Sequence, residues 1–285
     1  MFTLFFQPVV ARTAAYWLAA ILGASLVGCA QGLSPTAVNP SPADIQARLD
    51  AWLPADVLLL GEQHDAPMHQ ALQRQIVEVL AARSVLAAVA LEMAESGNST
   101  AALEPNASEE QTRKALNWHN DAWPWAAYGP TVMSAVRAGV PVLGANVART
   151  QMQSSMADTR LDQQLPGPAL KAQQQLIRQG HCGLLPESQI TPMTRIQITK
   201  DMRMADTVKA AVRPGQVVVL ISGSVHADKQ LGVPQHLPPE LRIQSIRLRS
   251  GTTGGEHESF DGVWLTPATP DKDYCADLAT QLPRR

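Results

Sequence analysis

The stretch DVLLLGE, residues 56–62, decides the fold class of this chain. A short apolar run closed by glycine is typical of a strand that is buried on both faces of a parallel sheet. Comparable runs follow between polar or glycine-rich segments, and the last two are weaker. These further predicted strands lie at 85–91, 140–145, 216–222, 241–248 and 262–265.

Helical spacing separates the predicted strands. Apolar residues recur at helical spacing over 69–82, and Ser108 with Gln111 forms a possible capping box for a helix through Leu116. Further helices are predicted over 131–138, over 151–179 with a break at 166–168, and over 192–212. Strands that alternate with helices predict an α/β fold, a mainly parallel sheet with helices on both faces.

Polar residues stand where the predicted strands end. Glu62 and His64 close the first strand, Glu92 the second, Asn146 the third and His226 the fourth. Parallel sheets place their sites outside the carboxyl ends of the strands. The sequence therefore predicts a functional site at that edge of the sheet.

The segments 61–64 and 223–226 share a Gly-x-x-His pattern at two of these strand ends. Two His and two Glu could bind a divalent metal, with a carboxylate as general base, or perform metal-free acid/base chemistry. Alternatively, these histidines cap strand carbonyls and Glu62 satisfies backbone amides. His69 could reach the same place, although a helical surface position is the simpler interpretation.

The segment 118–128 holds three of the six Trp and ends in Tyr128. An aromatic wall with one phenol suits a large flat ligand, and a tyrosinate can hold haem iron. The other interpretation is that these rings fill a core that is short of phenylalanine, since three of the four Phe lie before residue 7.

The N-terminal region predicts export and lipidation. Arg12 precedes an apolar stretch that is short for a membrane span and ends in Leu-Val-Gly-Cys at Cys29, as in a lipoprotein signal peptide. We assign 1–28 to the signal peptide, 29–44 to lipidated Cys29 with a Pro/Ser-rich tether, and 45–285 to one folded domain. The expected location is the outer membrane, facing the periplasm or the cell surface.

Composition narrows the function classes. Without residues 1–28 the chain has 22 basic and 25 acidic residues, and nothing suggests the basic face that nucleic-acid binding requires. Cys182 and Cys275 are the remaining thiols; an oxidising compartment permits a disulfide between them, but two separate thiols are equally consistent with the sequence.

An ordered set of motifs resembles the ChaN family of iron-regulated haem-binding lipoproteins. The resemblance extends from about Asp56 to Leu237. Its motifs are Leu60–Asp65, Leu91–Met93, Trp123–Trp125 with Tyr128, Gly180–Gly183, Lys200–Ala205, Gly223–His226 and Gly232–Pro234.

The resemblance implies haem (haem b) held between two subunits of a homodimer for iron acquisition. A tyrosine would hold the iron, and Tyr128 is the candidate within the matched region. A His and a Lys would hold the propionates, and the candidates for contact with haem are His64, His181, His226, Lys200 and Lys229.

The ChaN family is also similar to erythromycin esterases and TIKI metalloproteases. That kinship keeps a second hypothesis, a metal-dependent or Glu/His-based hydrolase. Its site would contain Glu62, His64, Glu92 and His226.

Overall fold

A computed structural model describes residues 40–251 and 259–281. Its sheet has six strands in the order β3-β2-β4-β1-β5-β6, and every neighbouring pair is parallel. The strands are β1 (Val57–Glu62), β2 (Leu86–Glu95), β3 (Val142–Asn146), β4 (Val217–Gly223), β5 (Ile243–Ser250) and β6 (Gly262–Thr266). All six predicted strands are present, and the α/β fold is confirmed.

Helices connect the strands. They are α1 (Pro42–Trp52), α2 (Pro67–Ala82), α3 (Glu109–Ala115), α4 (Trp125–Arg137), α5 (Met152–Ala157), α6 (Gly167–Gly180), α7 (Glu187–Ala211), α8 (Ser224–Ala227) and α9 (Tyr274–Gln281). Short 3-10 turns lie at 149–151, 159–163 and 233–236. The predicted capping box is formed, since the Ser108 hydroxyl accepts from the Gln111 amide and the Gln111 side chain accepts from the Ser108 amide.

The alternation of β1 explains the two cores. Leu58 and Leu60 pack in a cluster with apolar residues of α1, α2 and α4. Val57 and Leu59 point to the opposite face and pack with α7. Each fully buried side chain of this size contributes roughly 1.5–3 kcal/mol relative to exposure, so both faces of β1 are committed to the interior. The helices therefore cover both faces of the sheet, as predicted.

Two helices begin earlier than the sequence pattern predicts. Helix α4 begins at Trp125 rather than at residue 131, and Pro130 lies inside it. The sequence pattern predicts the helix boundary at this proline, because proline cannot donate the backbone hydrogen bond of a helix interior. Packing of α4 against the core outweighs that loss, since Trp125, Tyr128 and Val132 are buried. In the same way, α7 begins at Glu187 and contains Pro192.

The structure resolves the alternatives for the two cysteines. Cys182 and Cys275 form a disulfide with Cα atoms 5.7 Å apart. The bond joins the turn between α6 and α7 to helix α9, across a sequence separation of 93 residues. A distant part of the chain is thereby fixed to the helical layer.

The predicted signal peptide and lipidated Cys29 lie outside the described residues. The described region begins at residue 40, inside the segment assigned to the tether. Helix α1 also begins in that segment, where Ser41 and Asp44 form a capping box. In residues 40–251 and 259–281, no helix is long and apolar enough to cross a membrane.

Candidate functional site

A crevice of about 560 Å³ opens at the carboxyl ends of β1, β2 and β4. Strand register brings these ends together, since Glu62 pairs with Gly223 and Leu91 with Ile221. The crevice is lined by Glu62, Gln63, His64, Asp65, Glu92, Gln197, Lys200, Gly223, Ser224, Val225, His226 and Tyr274. The crevice therefore lies where the sequence predicts the functional site, at the carboxyl ends of the strands.

Glu92 is the buried centre of the crevice. Its Oε2 accepts a hydrogen bond from the Gly223 amide at 2.9 Å, and its Oε1 lies 3.3 Å from His226 Nε2 and 3.5 Å from Lys200 Nζ. Burial alone would raise the pKa of Glu92. The positive charges of His226, Lys200 and His64 outweigh burial and hold that pKa well below its usual range, so the carboxylate is charged.

His226 lies between two buried carboxylates. Its Nδ1 is 2.5 Å from Asp201 Oδ1, on the side of the ring opposite Glu92. Burial disfavours the imidazolium, but the two carboxylates outweigh it and raise the pKa of His226 to about 10. Burial also raises the pKa of Asp201, to about 6, although His226 opposes the shift. At neutral pH the three residues therefore form a buried network of one cation between two anions.

Glu62 anchors the other half of the crevice. Its Oε2 accepts from Gln73 at 2.6 Å and from Gln70 at 3.2 Å. Its Oε1 accepts from the Tyr128 hydroxyl at 2.6 Å and lies 2.8 Å from His64 Nδ1. These contacts fix the carboxyl group, which in turn orients the His64 ring.

Of the two histidines that line the crevice, His64 and His226, His64 is the accessible one, with 39% of its side chain exposed. Burial would lower its pKa, but the hydrogen bond that its ring donates to Glu62 and the charge of Glu92 raise the pKa above the ordinary value. The ring lies edge-on to Trp123, with centroids 4.9 Å apart. Its Nε2 faces Gly223, where a Cβ atom would approach to 2.9 Å, so only glycine leaves the ring its position.

Tyr128, the predicted iron ligand, is buried and only 3% exposed. Burial and the neighbouring Glu62 carboxylate both raise the pKa of its phenol. A tyrosinate ligand must lose its proton and reach the iron. In this arrangement the phenol is enclosed and its hydroxyl donates to Glu62. The role of Tyr128 as the iron ligand stays a prediction.

A groove of about 740 Å³ adjoins the crevice between α2 and α4. The groove and the crevice share His64 and Asp65. Small apolar side chains form much of its wall, namely Pro67, Ala71, Pro124, Ala126, Ala127 and Pro130. The Trp118 ring lies tilted and the Trp123 ring edge-on against the Tyr128 ring. The predicted aromatic segment therefore supports the groove wall mainly by packing its rings against one another.

The structure separates the predicted ligand-binding residues into two groups. His64, His226 and Lys200 line the crevice. Lys229 does not line it, because its ammonium pairs with Asp261 at 2.5 Å. His181 lies at the end of α6, where its Nδ1 contacts the Ile177 carbonyl at 2.8 Å.

Two further predictions need correction or refinement. His69 is fully buried rather than on the helix surface, because its Nδ1 accepts the Gln63 amide and its Nε2 contacts Thr266. Asn146 supports the strand ends, since its amide donates to the Glu92 carbonyl at 2.7 Å. Both residues stabilise the crevice from outside its lining.

Sequence reasoning missed Asp201, Gln73 and Tyr274. Asp201 continues the buried stripe of α7 formed by Thr194, Ile198 and Met204, and a carboxylate on an apolar stripe signals a buried partner. Gln73 likewise lies on the buried face of α2. Tyr274 carried no local signal, because the disulfide brings it to the crevice.

Metal binding was one of the open alternatives for this cluster. Across 40–251 and 259–281, no three His, Cys, Asp or Glu residues are grouped so that they could hold a metal ion. Glu92 and His226 instead use each other as partners, and Asp201 uses His226.

The fold and the crevice define an α/β protein with a polar binding site at the carboxyl ends of its strands. A model of the family described as haem-binding uptake, Tiki superfamily, ChaN, matches residues 48–237. The chain therefore belongs to the ChaN family of haem-binding uptake proteins, and the resemblance drawn from its motifs is confirmed.

A solved structure of a related protein supports the fold. The structure of cofacial haem binding to ChaN of Campylobacter jejuni has a TM-score of 0.65 and 26% sequence identity, and it covers 76% of this chain and 90% of that one. A mutant of the erythromycin esterase EreC in its open conformation has 13% identity and a TM-score of 0.46, over 74% of each chain. No curated protein matches the chain.

Proposed function

We propose that this chain binds haem b for iron acquisition as a membrane-anchored lipoprotein, with haem held between two subunits and its iron ligated by a tyrosine. The match of residues 48–237 to the haem-binding uptake family carries the proposal. The related ChaN of Campylobacter jejuni is described with cofacial haem binding.

The chemistry of the two adjoining cavities supports a porphyrin ligand. A porphyrin is flat and apolar, and it carries two propionate groups at one edge. The groove offers small apolar side chains such as Ala126 and Pro130, and the crevice beside it offers the Lys200 ammonium. Both volumes fall in the range of roughly 300–1,000 Å³ that cofactor pockets occupy. His64 lies where the two cavities meet.

Exposure at the rim supports a site completed by a second subunit. His64, Asp65 and Tyr274 are exposed there. A planar ligand that rests on this rim would leave its other face in water. A second copy, related by a twofold axis, would cover that face with the same rim, as in an isologous dimer.

Anchoring follows from the predicted lipidation of Cys29. Several acyl chains on that residue would hold the protein stably at the outer membrane, facing the periplasm or the cell surface. The intact mass of the mature protein tests this part, since cleavage before Cys29 and addition of acyl chains both change it. A Cys29→Ala variant should keep the mass of the uncleaved chain and should carry no acyl chains.

Haem titration of the full-length protein tests the binding function. We expect a saturable Soret shift with a high-spin, tyrosinate-like spectrum, and size-exclusion chromatography should show dimer formation as haem is added. The titration is done in detergent solution, and haem in the same solution without protein is the blank. Absence of a saturable shift at micromolar haem would reject haem binding.

A Glu/His-based hydrolase is the second candidate. The observation in its favour is the pair of Glu62 and exposed His64, because a carboxylate that orients an accessible imidazole is a general-base arrangement. Buried His226 is less suited to act as a base, since its pKa of about 10 keeps it protonated. A screen of esters and peptides tests this candidate, and hydrolysis that disappears in His64→Ala would support it.

A further inference from the structure

We propose that the Cys182–Cys275 disulfide holds Tyr274 at the mouth of the crevice as the tyrosine ligand of haem iron, and that reduction of this bond releases the ligand. The inference rests on the haem-binding function proposed above. It assigns the ligand to a residue outside the matched region 48–237 and adds redox control.

Tyr274 has the position that an iron ligand requires. It lines the crevice together with His64 and Lys200. Its side chain is 48% exposed, and in the described part of the chain only Leu184 is another exposed large hydrophobic residue. The phenol donates a hydrogen bond to Asp65, directly after His64 in sequence. A ligand that rests on His64 would therefore meet this phenol.

Tyr128 and Tyr274 differ in how accessible their phenol groups are. The Tyr128 phenol is enclosed and donates to the buried Glu62. The Tyr274 side chain is half exposed at the mouth of the crevice and donates to the exposed Asp65. If ferric iron bound the Tyr274 oxygen, the proton could pass to Asp65 or to water. Both phenols have a carboxyl acceptor, so it is the exposure of Tyr274 that favours it as the ligand.

Helix α9 has little else to keep it in place. Its described side chains are exposed, apart from half-buried Leu278, and residues 267–273 before it have no regular structure. Isolated helices shorter than about 12–15 residues are marginal in water. The disulfide therefore provides the main attachment of α9 to the body of the protein.

The other end of the disulfide is a braced turn. Cys182 has a φ of +56° and Gly183 a φ of +67°, which closes the turn between α6 and α7. Arg178 and Glu187 pair across the turn at 2.8 Å. A firm turn on one side and a weakly packed helix on the other mean that cleavage of the bond displaces Tyr274 rather than the helical layer.

Cys275 is exposed, so a dithiol can attack the disulfide. One thiolate of the dithiol forms a mixed disulfide and its second thiol resolves it. The dithiol loses two electrons and becomes a disulfide, and Cys182 and Cys275 gain those electrons and two protons as thiols. Reduction by a dithiol would then lower haem affinity, and oxidation would restore it.

Ferric haem titration of four full-length proteins tests the inference: the unmodified chain, Tyr274→Phe, Tyr128→Phe and the double variant Cys182→Ser/Cys275→Ser. We expect Tyr274→Phe and the double variant to lose the tyrosinate absorption band, and Tyr128→Phe to keep it. Leu184→Ala is the matched control for loss of an exposed apolar side chain and should keep the band.

Hydrogen–deuterium exchange of the haem-free protein tests the latch independently of haem. Residues 274–281 should exchange faster in the double variant, and in protein that has been reduced, alkylated and freed of reductant. A retained tyrosinate band in Tyr274→Phe would overturn the ligand assignment, and unchanged exchange would overturn the latch. If the unmodified chain binds no haem at all, the proposed function itself fails and the ligand assignment falls with it.

Discussion

Glu92 Oε1 lies 3.3 Å from His226 Nε2, and this contact joins the end of β2 to the helix that follows β4. Both side chains are at least 94% removed from solvent. Buried ions of this kind are stable only when they are paired, and removal of one partner costs roughly 3–5 kcal/mol. The network of Glu92, His226 and Asp201 thus combines an electrostatic role in the crevice with a role in stability.

This network predicts a pH dependence of stability. Folding raises the pKa of His226 from its ordinary value of 6.5 to about 10, chiefly because Glu92 and Asp201 outweigh burial. The stabilisation should be fully present below pH 6.5 and should be lost as the pH rises towards 10. Urea unfolding across this window measures the effect.

The variant His226→Gln serves as the comparison for that experiment. It should be less stable at neutral pH and should lack the alkaline loss, because glutamine does not titrate. If the unmodified protein keeps a constant free energy of unfolding across the window, the protonated state of His226 is refuted.

Close packing of β1 against α8 predicts a cost for Gly61→Ala. An added Cβ would lie 2.8 Å from the Ala227 Cβ and 2.9 Å from the Ser224 Cα, and the backbone atom cannot move alone. We expect a loss of about 1–3 kcal/mol in the free energy of unfolding. Gly167→Ala is the control, since nothing lies within 4 Å of its added Cβ. Equal stability of the two variants would contradict the packing argument.

The two lysines proposed for propionates should behave differently. Lys200→Met should weaken haem binding by roughly tenfold, which corresponds to about 1.4 kcal/mol. Lys229→Met should leave affinity unchanged, because its ammonium pairs with Asp261 away from the crevice. Haem titration of both variants decides the matter, and a larger loss for Lys229→Met would reverse the assignment.

The hydrogen bond from Tyr128 to Glu62 predicts a structural penalty for Tyr128→Phe. The variant removes one donor from the buried carboxyl group of Glu62, and removal of a partner from a buried polar group costs roughly 1–3 kcal/mol. Tyr274→Phe is the matched control; its phenol is half exposed, so the free energy of unfolding should change by less than about 0.5 kcal/mol. Thermal or urea denaturation of the haem-free proteins provides the measurement, and the reverse order would show that Tyr274 is the structural phenol.

The strands, and the polar residues at their carboxyl ends, could be predicted because the sequence signals for both are local. An apolar run such as 57–60 is buried on both faces wherever it lies in a parallel sheet. Helix starts were less predictable, since packing of Trp125 and Tyr128 outweighs the proline at position 130. The local conformational preference of a residue contributes little to the stability of a helix, and tertiary packing of the whole helix face contributes more.

The crevice was predictable in outline and incomplete in detail. Glu62, Glu92 and His226 could be predicted because each lies at or near the carboxyl end of a strand, and parallel strands share one carboxyl edge. Asp201 pairs with a histidine 25 residues later, and Tyr274 contacts Asp65 across 209 residues. Such pairs depend on how helices return to the sheet, which no local pattern encodes.

The sequence by itself determined the alternating strands and helices, the family and the edge of the sheet where the site lies, because periodicity and strand-end residues are short-range properties. The tertiary structure decided which groups share a proton or a hydrogen bond there. It buried Tyr128 against Glu62, placed His226 between two carboxylates and joined Cys182 to Cys275. Those outcomes depend on distances between segments far apart in the chain, and only the folded chain fixes such distances.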